Sequence, residues 1–198
     1  MLVLSFVLLW IPNTLLAQTT DTNEQVIRIA TTYRITPNIT YHSANNWESK
    51  LDIYRPGGAT TPRPTLIYIH GGGWTAGTKE SSALTFLPYL AMGWAVVNVE
   101  YRLAEVSLAP GAVEDCRCAL RWVYRNAEQY NFDLDRLVVT GGSAGGHLAL
   151  TTGMLPTTDG FERTCPGDRG PGPVSTEPLK VAAIINWFGI TDVTDLID

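Results

Sequence analysis

The sequence predicts an α/β fold in which a mostly parallel central sheet is flanked by helices. Its later apolar runs are continuous rather than alternating, as expected of parallel strands buried on both faces. These runs lie at 64–70, 94–100, 136–141 and 181–187. Stretches of helical periodicity separate several of them, most clearly at 111–129. Alternation of buried strands with helices is typical of α/β proteins.

Apolar periodicity identifies the elements in chain order. Strands are predicted at 26–34, 48–54, 64–70, 94–100, 136–141 and 181–187, and helices at 79–92, 111–129 and 144–154. The helix at 111–129 repeats apolar residues every three or four positions, at Val113, Cys116, Ala119, Leu120, Val123 and Ala127. Its other side carries charged residues that we expect to be solvated, namely Glu114, Arg117, Arg121 and Arg125.

The chain is predicted to contain three segments. Residues 1–17 are expected to be a signal peptide, because the apolar stretch at 2–11 is too short to span a bilayer but has the length of a signal-peptide core. Cleavage after Ala17 fits the small-residue rule only partly and no Lys or Arg precedes the stretch, so a membrane anchor is the alternative. Residues 18–47 are expected to form an N-terminal extension with the first strand, and residues 48–198 the main domain. We therefore expect a secreted or otherwise extracytoplasmic protein without a stable membrane span.

The net charge and the cysteine content argue against two classes of function, nucleic-acid binding and metal binding. A net charge of −5 lacks the basic footprint that nucleic-acid binding needs. The three cysteines have no histidine cluster at zinc-ligand spacing, so we expect no metal site. Cys116 and Cys118 point to different sides of one helix and cannot pair with each other. In an oxidising compartment Cys165 would bridge to one of them or to a partner outside this chain.

The most informative motif is the sequence GGSAGG at 141–146, which follows an apolar run and contains the pattern G-x-S-x-G. Between a buried strand and a helix, such a turn strains its central residue and lifts the hydroxyl above the sheet, where a base and a substrate can reach it. A P-loop would need a Lys followed by Ser or Thr after the glycines, and a dinucleotide fingerprint would need glycine in place of Ser143. Ser143 is therefore the candidate nucleophile.

A second glycine motif, HGGGW at 70–74, follows the apolar run at 65–69. Acyl transfer passes through a tetrahedral intermediate whose oxygen is negatively charged, and bare glycine backbone can bring N–H groups within hydrogen-bonding distance of it. The residue after the nucleophile, Ala144, supplies another donor in such sites. The two motifs in this order indicate an acyl-transfer site far more specifically than either motif does alone.

These two motifs occur together with LDIYRP at 51–56, VEYRLA at 99–104 and WFGITD at 187–192. The set resembles the α/β-hydrolase superfamily over residues 48–198, and most of all its secreted esterase and lipase group, which includes hormone-sensitive-lipase-like and feruloyl-esterase-like enzymes. The resemblance implies that Ser143 is the nucleophile and that no metal or organic cofactor takes part. It implies oxyanion donors in both glycine motifs, at Gly71, Gly72, Gly73 and Ala144.

The same resemblance requires an acid and then a histidine after the nucleophile. Only His147 follows Ser143, and it lies one helical turn away, directed along the helix and poorly placed to accept the serine proton. Asp192, after the last apolar run, is the candidate acid within the chain. We therefore expect the chain to end before the base, with the last strands and helices of the fold missing. By itself it is expected to hydrolyse little or no p-nitrophenyl acetate.

Other candidate residues have supporting roles. His70 is expected to brace the glycines by hydrogen bonding, and His42 to lie in a polar surface loop. Trp74 either lines the substrate pocket or serves simple packing. The segment 156–178, rich in proline and glycine, is predicted to be a long loop that either shapes the pocket or forms a plain surface excursion.

The resemblance implies a serine carboxylesterase that works by two-step acyl transfer. Its substrates would be acetyl or feruloyl esters of plant polysaccharides, or short-chain esters. Two hypotheses from other classes remain. A serine peptidase or amidase would share the fold and the serine turn, and a non-catalytic hydrolase-like binding module would need no base. The sequence leaves the oligomeric state open.

Overall fold

The computed structural model describes residues 23, 24, 26–167 and 178–192. The predicted signal peptide at 1–17 lies outside these residues, as does the middle of the predicted loop at 156–178. Within the described ranges no helix is both long and apolar enough to cross a membrane.

The central sheet has six strands in the described part of the chain, in the order β1-β2-β4-β3-β5-β6. They are β1 (Tyr33–Ala44), β2 (Trp47–Pro56), β3 (Arg63–Ile69), β4 (Ala95–Val99), β5 (Phe132–Gly142) and β6 (Ala183–Trp187). β4, β3, β5 and β6 are mutually parallel, whereas β1 and β2 form an antiparallel ribbon whose second strand pairs with β4. The mostly parallel sheet predicted from the continuous apolar runs is confirmed.

The register of the parallel strands places both glycine motifs at one edge of the sheet. Ile69, the last residue of β3, lies opposite Gly141 of β5. Gly142 in turn lies opposite Trp187 at the end of β6. The loops that leave the carboxyl ends of β3 and β5 are therefore neighbours in space although about seventy residues separate them in the sequence.

The prediction of a strand at 26–34 is wrong. Residues 26–32 form a helix, α1, and β1 begins only at Tyr33. The apolar run that suggested a strand has no partner strand among the described residues, and the hydroxyl of Thr32 donates instead to the carbonyl of Arg28, one helical turn earlier (2.6 Å). The chain divides into two units after Thr32.

The remaining helices are α2 (Leu87–Ala91), α3 (Gly111–Arg125), α4 (Ala127–Tyr130) and α5 (Ala144–Met154). The helix predicted at 144–154 is confirmed, and the one at 111–129 is interrupted at Asn126. The helix predicted at 79–92 reduces to a 3₁₀ turn at Glu80–Ser82 followed by α2. Pro88 explains this, because proline is tolerated in the first turn of a helix but breaks a longer one that runs through it.

The two faces of the sheet are covered by different helices. α3 and α5 pack on one face, where Leu120 and Leu148 join a buried cluster with the strand residues Ile67 and Val139. On the opposite face the ring of Phe86 contacts Tyr68, with ring centres 5.5 Å apart. This burial on both sides accounts for the continuous apolar runs of β3 and β5.

The charged side of α3 differs from the predicted solvated surface. Arg117 is fully buried and Arg121 is 4% exposed. The guanidinium of Arg117 pairs with the buried carboxylate of Glu162 and donates to the carbonyl of Thr152 (2.6 Å). The segment after α5 therefore folds back over this side of α3, because buried charges need partners of opposite sign.

A disulfide joins α3 to the same segment. Cys118 pairs with Cys165, and Cys116 is a free, buried thiol. One of the pairings left open by the sequence is thereby established. Burial raises the pKa of the Cys116 thiol well above its ordinary value, so this cysteine is protonated and unreactive.

Removing this disulfide is expected to destabilise the fold substantially. The bridge spans 47 residues, and closing a loop of that size in the unfolded chain corresponds to about 4 kcal/mol. Urea unfolding of the double variant Cys118→Ala/Cys165→Ala should show this loss, and dithiothreitol should have no further effect on it. The matched control Cys116→Ala should remain sensitive to dithiothreitol. A double variant within 1 kcal/mol of the unmodified protein, taken as roughly the low end of measured disulfide effects, would contradict a structural role for the bridge.

Candidate active site

Ser143 occupies a sharp turn between β5 and α5. Its backbone angles, φ 55° and ψ −123°, lie in a region that residues other than glycine rarely adopt. Its side chain is exposed, and its N–H donates to the carbonyl of Trp187 (2.9 Å) at the end of β6. The strain is therefore held by hydrogen bonding to the neighbouring strand, and the hydroxyl is presented above the sheet.

Glycine is required at this turn because the backbone of β3 passes directly against it. A Cβ built on Gly145 would lie 2.2 Å from the carbonyl oxygen of Ile69 and 2.6 Å from that of His70. Neither backbone group can move without displacing the strand. The close approach lets α5 start directly at the end of β5 and brings its first turn against the beginning of the other glycine loop.

That other loop, residues 70–79, lies against the serine turn. A Cβ on Gly71 would be 2.7 Å from the carbonyl oxygen of Gly142 and 3.5 Å from the Cβ of Ser143. Within the part of the chain that the structure describes, the N–H groups of Gly72 and Gly73 make no backbone hydrogen bond. Ala144 is the first residue of α5, so its N–H has no acceptor within the helix. Backbone N–H groups of both glycine motifs therefore have no backbone acceptor and remain free close to Ser143.

Both ends of the glycine loop are fixed by residues that follow β4. The ring of His70 stacks on Tyr101 with ring centres 4.3 Å apart, and its Nδ1 donates to the carbonyl of Gly71 (2.8 Å). Its Nε2 lies 3.6 Å from a carboxylate oxygen of Glu100. The other oxygen of Glu100 accepts a hydrogen bond from the N–H of Lys79 (2.7 Å), at the far end of the loop. His70 thus braces the glycines, and Glu100 fixes the far end of the loop at Lys79.

Gly72 provides a test of the loop geometry. Its φ is +124°, and a Cβ there would lie 1.9 Å from the carbonyl oxygen of Ala76. Gly72→Ala is therefore expected to displace the loop and to lower kcat for ester hydrolysis by about 100-fold or more, the usual cost of losing an oxyanion donor. Gly93→Ala is the control, because Gly93 has a similar positive φ of +83° but nothing within 4 Å of the added carbon. Equal kcat values for the two variants would contradict this role of the loop.

Trp74 and His147 line a cavity beside the two loops. Their rings meet edge to face with centres 5.4 Å apart, and the cavity has a volume of about 350 Å³. Burial lowers the pKa of His147 below its ordinary value, so its imidazole is neutral at neutral pH. His147 thus packs against the loop that follows the glycines, as expected for a residue one turn along the helix from Ser143.

His42 does not lie in a surface loop, as its polar surroundings in the sequence suggested. It is fully buried in β1, and its Nδ1 donates to the carboxylate of Asp115 (2.7 Å). The same carboxylate accepts hydrogen bonds from Ser49 (3.0 Å) and from the backbone N–H (2.7 Å) and Nε (3.0 Å) of Arg102. Although burial alone would raise the pKa of Asp115, the bonds from His42 and Arg102 outweigh it and hold the pKa below its ordinary value.

The structure does not bring a histidine to the Ser143 hydroxyl within the described residues. His42 bonds Asp115, His70 bonds the backbone of Gly71, and His147 packs on Trp74. Asp192 is exposed in the segment after β6. No group of three or more His, Cys, Asp or Glu side chains suited to a metal ion occurs in the described residues. The site thus consists of the candidate nucleophile and its backbone donors.

Sequence reasoning did not identify Glu100, Asp115 or the cavity. The motif VEYRLA at 99–104 could have indicated these contacts. It contains Glu100 and Tyr101, which hold the glycine loop, and Arg102, which pairs with Asp115. Nothing local marks His42 or Asp115 as partners, since 73 residues separate them in the chain.

Comparison with known proteins identifies a family for residues 51–198. A family model described as BD-FAE matches residues 51–198. Among curated proteins, "Probable carboxylic ester hydrolase LipM" of Mycobacterium tuberculosis is 34% identical over 151 residues, which cover 75% of this chain and 33% of LipM. The esterase LipC of the same organism is 30% identical over 147 residues, which cover 73% of this chain and 34% of LipC. The chain thus spans about a third of the length of these relatives.

Solved esterase structures share the fold. A bacterial heroin esterase is 35% identical, with a TM-score of 0.55 over 68% of this chain and 44% of that enzyme. Esterase 2 from the planctomycete Thermogutta terrifontis is 26% identical, with a TM-score of 0.61 over 78% of this chain and 52% of that enzyme. The chain therefore has an α/β-hydrolase fold, and by the match over residues 51–198 it belongs to the BD-FAE family.

Proposed function

We propose that the protein is a carboxylic ester hydrolase with Ser143 as its nucleophile. The observation that carries this proposal is the contact between two loops. An exposed serine with a strained backbone lies against a glycine loop in which the N–H groups of Gly72 and Gly73 make no backbone hydrogen bond. Acyl-transfer sites combine backbone strain, which the surrounding structure maintains, with a cluster of unpaired N–H donors.

The mechanism follows from the chemistry of these groups. The Ser143 hydroxyl attacks the ester carbonyl and forms a tetrahedral intermediate, whose oxyanion accepts hydrogen bonds from the N–H groups of Gly72, Gly73 and Ala144. Gly71 lies directly against the serine turn. A histidine that follows Ser143 in chain order takes the serine proton and passes it to the alcohol, as triads of this fold are arranged. Water then releases the acid, and no cofactor is needed.

Relatives support a small-molecule ester as the substrate. One structure of esterase 2 from Thermogutta terrifontis has propionate bound, and esterase B from Lactobacillus rhamnosus has been solved after inhibition by a tributyrin phosphonate. We extend this to esters of carboxylic acids with apolar acyl groups, free or linked to a glycan.

We further propose that the protein acts outside the cytoplasm. The Cys118–Cys165 disulfide supports this, because structural disulfides persist in oxidising compartments. The apolar stretch at 2–11 supports it independently as a signal-peptide core. Recovery of the protein from the culture medium of its source, cleaved after Ala17, is the expected result. Retention of the full chain in the cytoplasm would contradict it.

The experiment that tests the activity compares an ester with the matching amide. Protein expressed from the complete coding sequence is assayed on p-nitrophenyl butanoate and on N-butanoyl-p-nitroaniline. An ester hydrolase should favour the ester by about 100-fold or more in kcat/KM, a difference of about 2.7 kcal/mol in activation free energy. Comparable rates would favour the peptidase or amidase, and no turnover would favour a binding module. Reading the coding sequence past codon 198 for an Asp followed by a His provides a second, independent check.

A further inference from the structure

The far end of the glycine loop carries a buried lysine. Of the three lysines in the chain, Lys50, Lys79 and Lys180, all among the described residues, only Lys79 is buried, with 3% of its surface exposed. Lysine is almost never buried to this extent unless its charge is paired. Lys79 lies where the loop passes into the 3₁₀ turn, so its backbone defines where the loop ends.

The ammonium group of Lys79 is paired inside the fold. Its Nζ lies 3.1 Å from both carboxylate oxygens of Asp52, a residue of β2 that is itself 4% exposed. It also donates to the carboxylate of Glu80, which is exposed. Asp52 is held in turn, because its Oδ1 accepts a hydrogen bond from the backbone N–H of Asn38 (2.8 Å). The lysine side chain is thus tied to the antiparallel ribbon of the sheet.

The backbone of Lys79 is held as well. Its N–H donates to the carboxylate of Glu100 (2.7 Å), and its carbonyl accepts a hydrogen bond from the side-chain amide of Asn98 (2.7 Å). Asn98 is fully buried in β4 and lies opposite Asp52 in the register of β2 and β4. The partners of the lysine side chain and of its carbonyl are therefore neighbours on adjacent strands, and together they fix the position of the residue.

Two contacts connect this anchor to the oxyanion donors. Gly77 lies against the start of the loop, since a Cβ there would be 2.4 Å from the carbonyl oxygen of Gly71. The N–H of Ala76 donates to the carbonyl of Gly72 (3.0 Å). Because a peptide group is planar, these two carbonyls set the directions of the N–H groups of Gly72 and Gly73. A shift of the anchor would therefore turn both donors.

Fold stability alone does not account for this lysine. Removing two charges from water costs about as much as their attraction contributes, so apolar residues of similar volume often stabilise a fold equally well. An ion pair with directed hydrogen bonds, in contrast, permits only one geometry. The far end of the loop needs such a constraint, because it leads only into a 3₁₀ turn of three residues without a side-chain cap.

We propose that Lys79 is a positioning residue for ester hydrolysis, because its ion pair with Asp52 holds the N–H groups of Gly72 and Gly73 in the direction that the oxyanion requires. This inference rests on the proposed ester hydrolysis. The geometry of the oxyanion donors is thereby tied to β2, which is separated from β5, the strand of the nucleophile, by β4 and β3.

The test compares two variants of protein from the complete coding sequence. Lys79→Met leaves the Asp52 carboxylate buried without its cation, so it should lower both the melting temperature and kcat for p-nitrophenyl butanoate. Lys79→Met/Asp52→Asn removes both charges, and the new amide oxygen can still accept from Asn38. It should regain the melting temperature but not kcat, which stays lowered by about tenfold to 100-fold at unchanged KM, as expected when a group that acts only in the transition state is misplaced.

A transition-state analogue separates positioning from stability. Hexyl trifluoromethyl ketone takes up the Ser143 oxygen at its carbonyl carbon and forms an oxyanion, whereas hexyl methyl ketone binds as the uncharged ketone. In the double variant the Ki of the trifluoromethyl ketone should rise by about the factor by which kcat falls, and the Ki of the methyl ketone should not change. The matched control is Lys50→Met/Glu48→Gln, which removes an exposed ion pair of the same ribbon (3.4 Å) and should leave all these values unchanged.

The possible outcomes distinguish this inference from the proposed function. A folded double variant that keeps the kcat and the trifluoromethyl ketone Ki of the unmodified protein would overturn the positioning role alone. If the double variant does not fold, Asp52→Asn decides, because Glu80 still pairs with Nζ: weaker binding of the trifluoromethyl ketone only is expected, and unchanged binding would overturn the role. Absence of Ser143-dependent turnover in the unmodified protein would overturn the proposed function and the positioning role with it.

Discussion

Replacing Ser143 with alanine is expected to lower kcat for ester hydrolysis by about 10⁴-fold or more. The hydroxyl forms the covalent bond to the acyl group, and nothing else in the turn can take its place. The free N–H groups of the glycine loop would remain, and they account for the small residual rate that such variants keep over water. Initial rates with p-nitrophenyl butanoate on protein from the complete coding sequence provide the measurement.

The matched control for this change is Ser82→Ala. Ser82 is partly buried and lies at the end of the 3₁₀ turn before α2, in neither of the two glycine motifs. It should retain the kcat of the unmodified protein within about threefold, a difference of about 0.7 kcal/mol in barrier. A Ser143→Ala variant that folds normally and keeps more than about a tenth of the original kcat, a change of only about 1.4 kcal/mol, would remove the proposed nucleophile.

Asp115→Ala is expected to lower the free energy of unfolding by about 3–5 kcal/mol. The carboxylate is fully buried and is the common acceptor for His42, Ser49 and Arg102. Its removal leaves the buried guanidinium of Arg102 without its main counter-charge. Urea unfolding of the single variant measures the loss. The control is Asp133→Ala, whose partner Arg136 is exposed and whose loss should cost about 1 kcal/mol or less.

The same carboxylate implies a dependence of stability on pH. Hydrogen bonds from His42 and Arg102 hold its pKa below the ordinary value despite burial. A carboxyl group with a lowered pKa contributes stability above the pKa of the unfolded state, about 3.9, and this contribution is lost as pH falls through the lower pKa of the folded state. The unfolding free energy of the unmodified protein should therefore fall below about pH 4, and Asp115→Asn should flatten this fall. An identical acid profile for both proteins would contradict the assignment.

The serine turn and the glycine loop could be predicted from sequence because each is a local pattern. Ser143, Gly145 and the HGGGW segment carry their geometry in adjacent residues, and the parallel strands before them appear as continuous apolar runs. That the two motifs lie at one edge of the sheet is shown by the register of β3 and β5.

The rest of the site depends on contacts between distant segments. The sequence predicts a solvated Arg117, whereas in the structure Arg117 is buried and paired with Glu162. It predicts His42 in a surface loop, whereas in the structure His42 is buried and bonded to Asp115 of α3. Helical periodicity alone cannot distinguish a charged side that faces water from one that faces a partner segment. The strand predicted at 26–34 is a helix for a related reason, because a short apolar run is compatible with either a strand or a helix when its partners in the fold are not known.

The most direct test of the central claim is to identify the residue that an organophosphate modifies. Protein from the complete coding sequence should be treated with paraoxon, digested and analysed by mass spectrometry. We predict one diethylphosphoryl group per chain, on Ser143, with hydrolysis lost in proportion to the label. Modification of another residue, or full ester hydrolysis without a label on Ser143, would contradict the account.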